Sequence, residues 1–252
     1  MSIPKNIPKR PIGELVEQNY VFAAVLYYFG ISFFEYEESS LDEVCKKFKV
    51  NPQQVMQELE NWAQKKEPTP EELFLHPIEV LVEYLKKKHH YFLRHELPFL
   101  SSMIAGIRPE TRYETLLADM KLMFPLFVDD FIHHIHEEEN TLFRRINFLH
   151  QIERGEYNMV DAIALLDSTP ISEFAAEHDA HDDEMEGIRR LTSNYQLTPP
   201  ITVTMKVLYH ELQSFEKELI IHAKIENDLL FPKAIELEKD VRRNLINKIK
   251  CN

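Results

Sequence analysis

Three pairs of residues in this chain repeat at one interval. His90 and His178 are 88 residues apart, and so are His134 and His222, and Glu138 and Glu226. All six are of types that ligate first-row metals. Two sets read His-x-x-x-Glu (His134 with Glu138, His222 with Glu226), and similar residues follow each: Thr141-Leu142-Phe143 in one, Leu229-Leu230-Phe231-Pro232 in the other. On an α-helix, positions i and i+4 lie one above the other on the same face. An imidazole and a carboxylate at that spacing can grip one cation, or two neighbouring ones, without bending the backbone. Two such helices face to face, with one further histidine from each of two neighbouring helices, turn four nitrogens and two carboxylates into a bundle core. Each Glu could then bridge two ions roughly 3.5–4 Å apart, the usual separation in two-metal sites.

A single His-x-x-x-Glu is ordinarily a solvated pair worth about 0.2–0.5 kcal/mol. Chance would rarely give one offset to three unrelated pairs of ligand type, so the register favours a metal site over a surface charge cluster. Mixed imidazole and carboxylate ligands suit iron, manganese or zinc. Six protein ligands for two ions leave coordination positions open, which favours binding or activating a small molecule over a closed structural site. His89, His133, His136 and His181 flank the expected ligands, but angular offset turns most of them away, so they read as surface residues or as partners that orient a ligand. His76, His95, His150 and His210 read as having no role in the site.

The elements that must position these residues are helical. The chain has 252 residues, 44% of them hydrophobic, and only 5 glycines, which suits helices better than a sheet rich in tight turns. A net charge of −13 argues against a nucleic-acid partner and an anionic membrane surface. Two cysteines far apart, Cys45 and Cys251, make neither a disulfide framework nor a thiolate metal site. With no signal peptide at the start and no apolar run long enough to span a bilayer, a cytoplasmic protein is expected.

Residues 1–10 read as a tail. A helix is expected from Pro11 to Gly30, a second over 41–48 behind a Ser40-x-x-Glu43 capping box, and a third from Asn51 through Trp62. These make a small three-helix domain, 1–65, marginal alone. Residues 66–75 read as a linker. A four-helix bundle follows over 76–238: helices at 77–105, 110–152 with Pro125 starting or kinking its second half, 171–194 and 201–237, with a short helix near 158–167. Short connections make the long helices antiparallel. Residues 239–252 read as a peripheral tail.

The segments that carry the ligands resemble those of the hemerythrin-like HHE cation-binding family, and more narrowly the di-iron proteins that repair iron–sulfur clusters (RIC, repair of iron centres). The similar segments are His89-His90-Tyr-Phe-Leu-Arg-His-Glu-Leu-Pro98, His134-x-x-x-Glu138-x-x-x-Leu142-Phe143, Glu177-His178-Asp179 with 191–195, and His222-x-x-x-Glu226-Asn-Asp-x-Leu-Phe-Pro232. The resemblance implies an all-α, hemerythrin-like antiparallel four-helix bundle behind a small N-terminal domain. It also implies two iron ions held by His90, His134, His178 and His222 and bridged by Glu138, Glu226 and an oxygen species, with manganese or zinc as alternatives. The implied function is repair of clusters damaged by oxidative or nitrosative stress, by supplying iron or handling nitric oxide. The alternatives are a carrier or sensor of dioxygen or nitric oxide without turnover, and a nitric oxide reductase. The implied partners are a small gas and iron–sulfur proteins, for a monomer or homodimer. Two departures stand out. Phe34-Glu35-Tyr36-Glu37 occupies the place where the family has a Cys-Cys pair and two glycines, and Asp182 stands where the family often has Gly.

Overall fold

The computed structural model describes residues 7–64, 67–108, 112–180 and 184–250. His181, Asp182 and Cys251 lie outside them. The described chain is all-α. In order it forms α1 (Ile12–Gln18), α2 (Val21–Tyr28), α3 (Leu41–Phe48), α4 (Pro52–Gln64), α5 (Pro70–Phe74), α6 (Ile78–Tyr91), α7 (Leu97–Gly106), α8 (Glu114–Glu137), α9 (Arg144–Glu153), α10 (Met159–Asp167), α11 (Ile171–Ala180), α12 (Glu186–Leu191), α13 (Val203–Ile225) and α14 (Phe231–Lys250). Three π segments join helices end to end: Phe92–Glu96 between α6 and α7, Glu138–Phe143 between α8 and α9, and Glu226–Leu230 between α13 and α14. Among the described residues no helix is long and apolar enough to cross a membrane.

Local chemistry sets most boundaries. Ser40 and Glu43 form the expected capping box at α3. The helix expected over 11–30 instead breaks at Asn19, whose backbone is extended and whose side-chain oxygen accepts from the Val21 N–H to start α2. A short amide competing for backbone donors explains the break. The stretch expected as a linker contains α5, opened by a Thr69–Glu72 capping box with a proline in its first turn. The segment expected as a tail continues α14 to Lys250, because Val241 and Leu245 extend its apolar face into the core. The helix expected over 171–194 is described as α11 and α12.

The described residues fall into two compact units. The first gathers residues up to Glu67 with Phe92–Leu126 and Met185–Glu216. Here the short N-terminal helices find the apolar partners they lack alone. Tyr27 donates to the Pro98 carbonyl at 3.1 Å, and Lys206 pairs with Glu17 at 2.6 Å. A Cβ on Gly106 would stand 2.5 Å from the Phe34 ring, so that helix end must be bare.

The second unit comprises Pro68–Tyr91, Phe127–Glu184 and Lys217–Asn252. Its core stacks Leu81 and Leu85 with Phe143, Ile146, Leu230 and Phe231. The segment Glu226–Leu230 packs on α6, and both α9 and α11 pack on α14. Glu238 of α14 joins three elements: it accepts from Arg145 Nε at 2.8 Å and from the Ile171 N–H at 3.1 Å, and Arg145 in turn donates to Ser168 at 2.6 Å.

Candidate metal centre

Every residue of the candidate site belongs to the second unit. His134 sits in the last turn of α8, and one turn later Glu138 opens a π segment. His222 in the last turn of α13 and Glu226 at the head of the next π segment repeat the arrangement. π turns inside α-helices are uncommon and concentrate at functional sites. His178 comes from α11, and His89 from the end of α6.

Two sets of ligand atoms lie within 4.8 Å of one another: His89, Glu138, His222 and Glu226, all buried, and His134, Glu138 and His178. Glu138 belongs to both. His89 Nε2 is 3.0 Å from His222 Nε2 and 3.3 Å from Glu138 Oε2. His134 and His178 reach Glu138 Oε1 at 3.4 and 3.3 Å. His178 and His222 reach the two oxygens of Glu226 at 3.2 and 3.1 Å.

The structure thus brings together His134, Glu138, His178, His222 and Glu226, as expected from the sequence, but not His90. His90 is exposed, and the adjacent His89, 1% exposed, stands in the cluster. The cause is the helical repeat. Ile78, Val82, Leu85 and His89 form one buried stripe of α6, and a step of one residue swings a side chain about 100° to solvent. That stripe is readable in the sequence and would have selected His89.

The cluster fits a cation. Both oxygens of Glu138 and of Glu226 are buried and make no hydrogen bond, although imidazole nitrogens surround them. Two Nε2 atoms 3.0 Å apart can share at most one proton between them. Ligands about 2.1 Å from one first-row ion stand roughly 3.0–3.4 Å apart, which is the separation found here. Two of the outer nitrogens are tied down. His89 Nδ1 lies 2.9 Å from Glu139 Oε1, and His178 Nδ1 lies 3.1 Å from Asn227 Oδ1. Such contacts fix the tautomer and aim Nε2 at the centre. Phe143 stacks on His89 with ring centroids 5.6 Å apart, and Phe231 packs on His178 at 5.3 Å. Glu139, Asn227 and Glu184, whose Oε1 is 3.9 Å from His134 Nε2, are further residues of the site. Glu139 and Asn227 are themselves 88 residues apart, so the repeat could have found them.

The electrostatics are those of a site built for positive charge. Burial pulls the imidazoles down, but neighbouring carboxylates outweigh it. Glu138 and then Glu184 raise His134 to about 9, and Glu138 and Glu226 raise His178 to about 11. His89 is also raised, by Glu138, Glu226 and Glu139 against its burial. Burial pushes the Glu138 carboxyl up, yet His134, His178 and His89 hold it well below the usual range. Burial keeps Glu184 above that range.

Residues 80–234 match the hemerythrin HHE cation-binding domain. The iron–sulfur cluster repair protein YtfE of Yersinia pseudotuberculosis serotype IB (strain PB1/+) is 28% identical over 165 residues, covering 64% of this chain and 68% of that protein. The protein of the same name from Yersinia pestis (strain Pestoides F) is similar to the same degree. With the family's domain spanning most of its length, and a cluster of histidines and glutamates able to hold a cation at the heart of that domain, this chain belongs to the hemerythrin HHE cation-binding family.

Proposed function

We propose that this protein is a non-haem di-iron protein that takes part in repair of iron–sulfur clusters damaged by oxidative or nitrosative stress. The observation that carries this reading is the pair of buried carboxylates, Glu138 and Glu226, each facing imidazoles on two sides with no hydrogen bond to its oxygens. His89, Glu138, His222 and Glu226 would hold one ion, and His134, Glu138 and His178 the other, with Glu138 common to both. The relatives named as cluster repair proteins support the choice of process. When bound, a pair of iron ions supplies redox-active centres that take up small ligands such as nitric oxide or dioxygen. The chain contributes the positioning. Glu139 and Asn227 aim two imidazoles, and Phe143 and Phe231 keep water from their faces. His134, 34% exposed, marks the side open to solvent.

The test is recovery of a clustered enzyme inactivated by nitric oxide, after addition of the iron-loaded protein. Recovery above an iron-salt control is expected; none would overturn the repair reading.

A second reading, reversible binding of nitric oxide or dioxygen without turnover, is favoured by one observation. No thiol stands at Phe34–Glu37, and Cys45 is buried, its thiol pushed up to about 11 by burial and then by Asp42. The small helical region therefore offers no reactive thiolate to a repair reaction. A reversible optical change on adding gas to the reduced protein, with no effect on damaged clusters, would select this reading.

A further inference from the structure

In each half of the centre one imidazole, His89 or His178, has the same set of outer contacts, and one of those contacts differs in chemistry. In the first half, consecutive residues of a π segment reach both nitrogens of one imidazole. Glu138 Oε2 is 3.3 Å from His89 Nε2, and Glu139 Oε1 is 2.9 Å from Nδ1. In the second half, Glu226 and Asn227 do the same to His178, at 3.2 and 3.1 Å. An aromatic ring backs each imidazole, Phe143 in one and Phe231 in the other. Both Glu139 and Asn227, and Phe143 and Phe231, keep the interval of 88. The Nδ1 acceptor is thus a carboxylate in one copy and an amide in the other.

We propose that Glu139 is a positioning residue for His89, and that Asn227 at the equivalent place behind His178 gives the two imidazoles an unequal hold on a metal pair. This rests on the metal-centre reading above. An acceptor on Nδ1 fixes the tautomer that leaves the Nε2 lone pair facing the cluster. A charged acceptor also strengthens the hydrogen bond and pushes electron density into the ring, which an amide oxygen does far less. The effect is weakly screened on the ring side, because His89 is 1% exposed. In consequence the position that includes His89 should hold a divalent ion more tightly than the position that includes His178.

The test is a cobalt(II) titration of the full-length protein against a competing chelator, followed through the ligand-field bands. It compares the wild type with E139Q, E139A and N227D, after circular dichroism has shown that each metal-free variant is folded. The wild type should bind two cobalt ions with unequal affinity. E139Q keeps an acceptor and loses the charge; it should weaken one ion about 10-fold or more and shift the bands of that ion alone. E139A should weaken it further. N227D should tighten the other ion and bring the two affinities together. E139Q within twofold of wild type would overturn the proposal, whether or not E139A is weakened. A wild type that takes up no cobalt would instead remove the metal centre itself.

Discussion

At the scale of the residue, the sharpest consequence of the structure concerns two adjacent histidines. His89 is buried with Nε2 against Glu138 and His222, and His90 faces solvent. Substituting His89 by Ala should abolish one ion of the pair, and His90→Ala should leave metal content unchanged. Metal analysis of the two purified variants decides it; loss of metal in His90→Ala would overturn the assignment. The repeat pointed to His90 because it assumes equal spacing in both copies. His89 precedes Glu138 by 49 positions, whereas His178 precedes Glu226 by 48. The additional position falls in a stretch that contains the π segment Phe92–Glu96, and an i→i+5 turn takes in one residue more than an α turn. The His-x-x-x-Glu pairs do not suffer this ambiguity, because one unbroken helical turn fixes each of them. On an ideal α-helix Glu139 points about 100° away from Glu138, and only contact with the opposite nitrogen of the same imidazole gives it a part in the site.

At the scale of the element, capping signals were legible and interruptions were not. Ser40 with Glu43 fixes the start of α3, and Thr69 with Glu72 carries an equally readable box at α5. The break at Asn19 depends on which of two nearly equal hydrogen-bond partners wins, which periodicity does not register. The three π segments carry no compositional mark; two of them open on a carboxylate of the centre, Glu138 and Glu226. Placement of α11, which delivers His178, depends on a contact far away in sequence. Glu238 accepts from Arg145 and from the first N–H of α11, with both side chains less than a tenth exposed. Removing one partner of a buried pair strands the other charge. Glu238→Ala should therefore destabilise the protein by about 3–5 kcal/mol in chemical denaturation. Glu153→Ala, on an exposed contact to His150 in α9, should cost about 1 kcal/mol or less. Equal losses in the two variants would show that α11 is not held by Glu238.

At the scale of the whole molecule, protons and metal ions compete for one cluster, and stability should report the competition. In the metal-free protein His134 is raised to about 9 and His178 to about 11, their carboxylate neighbours overcoming burial. A histidine whose pKa is raised on folding stabilises fully below its unfolded value, roughly 6.5, and the contribution fades as pH climbs through the folded value. Glu138 and Glu226 are lowered, so what they contribute is present above about 4.5 and disappears as pH drops below it. Metal-free protein should accordingly be most stable between about pH 4.5 and 6.5, and its melting temperature should fall from pH 7 to pH 10. Metal ions displace the imidazole protons, so binding releases protons and tightens as pH rises. Ligand at about 100 times its dissociation constant adds about 2.7 kcal/mol to the folded state. Loading with a divalent ion should then raise the melting temperature by a margin that widens from pH 6 to pH 9. Thermal melts of metal-free and loaded protein across this range provide the check. Parallel curves for the two forms would mean that the ions bind elsewhere, and that these imidazoles are not where metal and proton exchange.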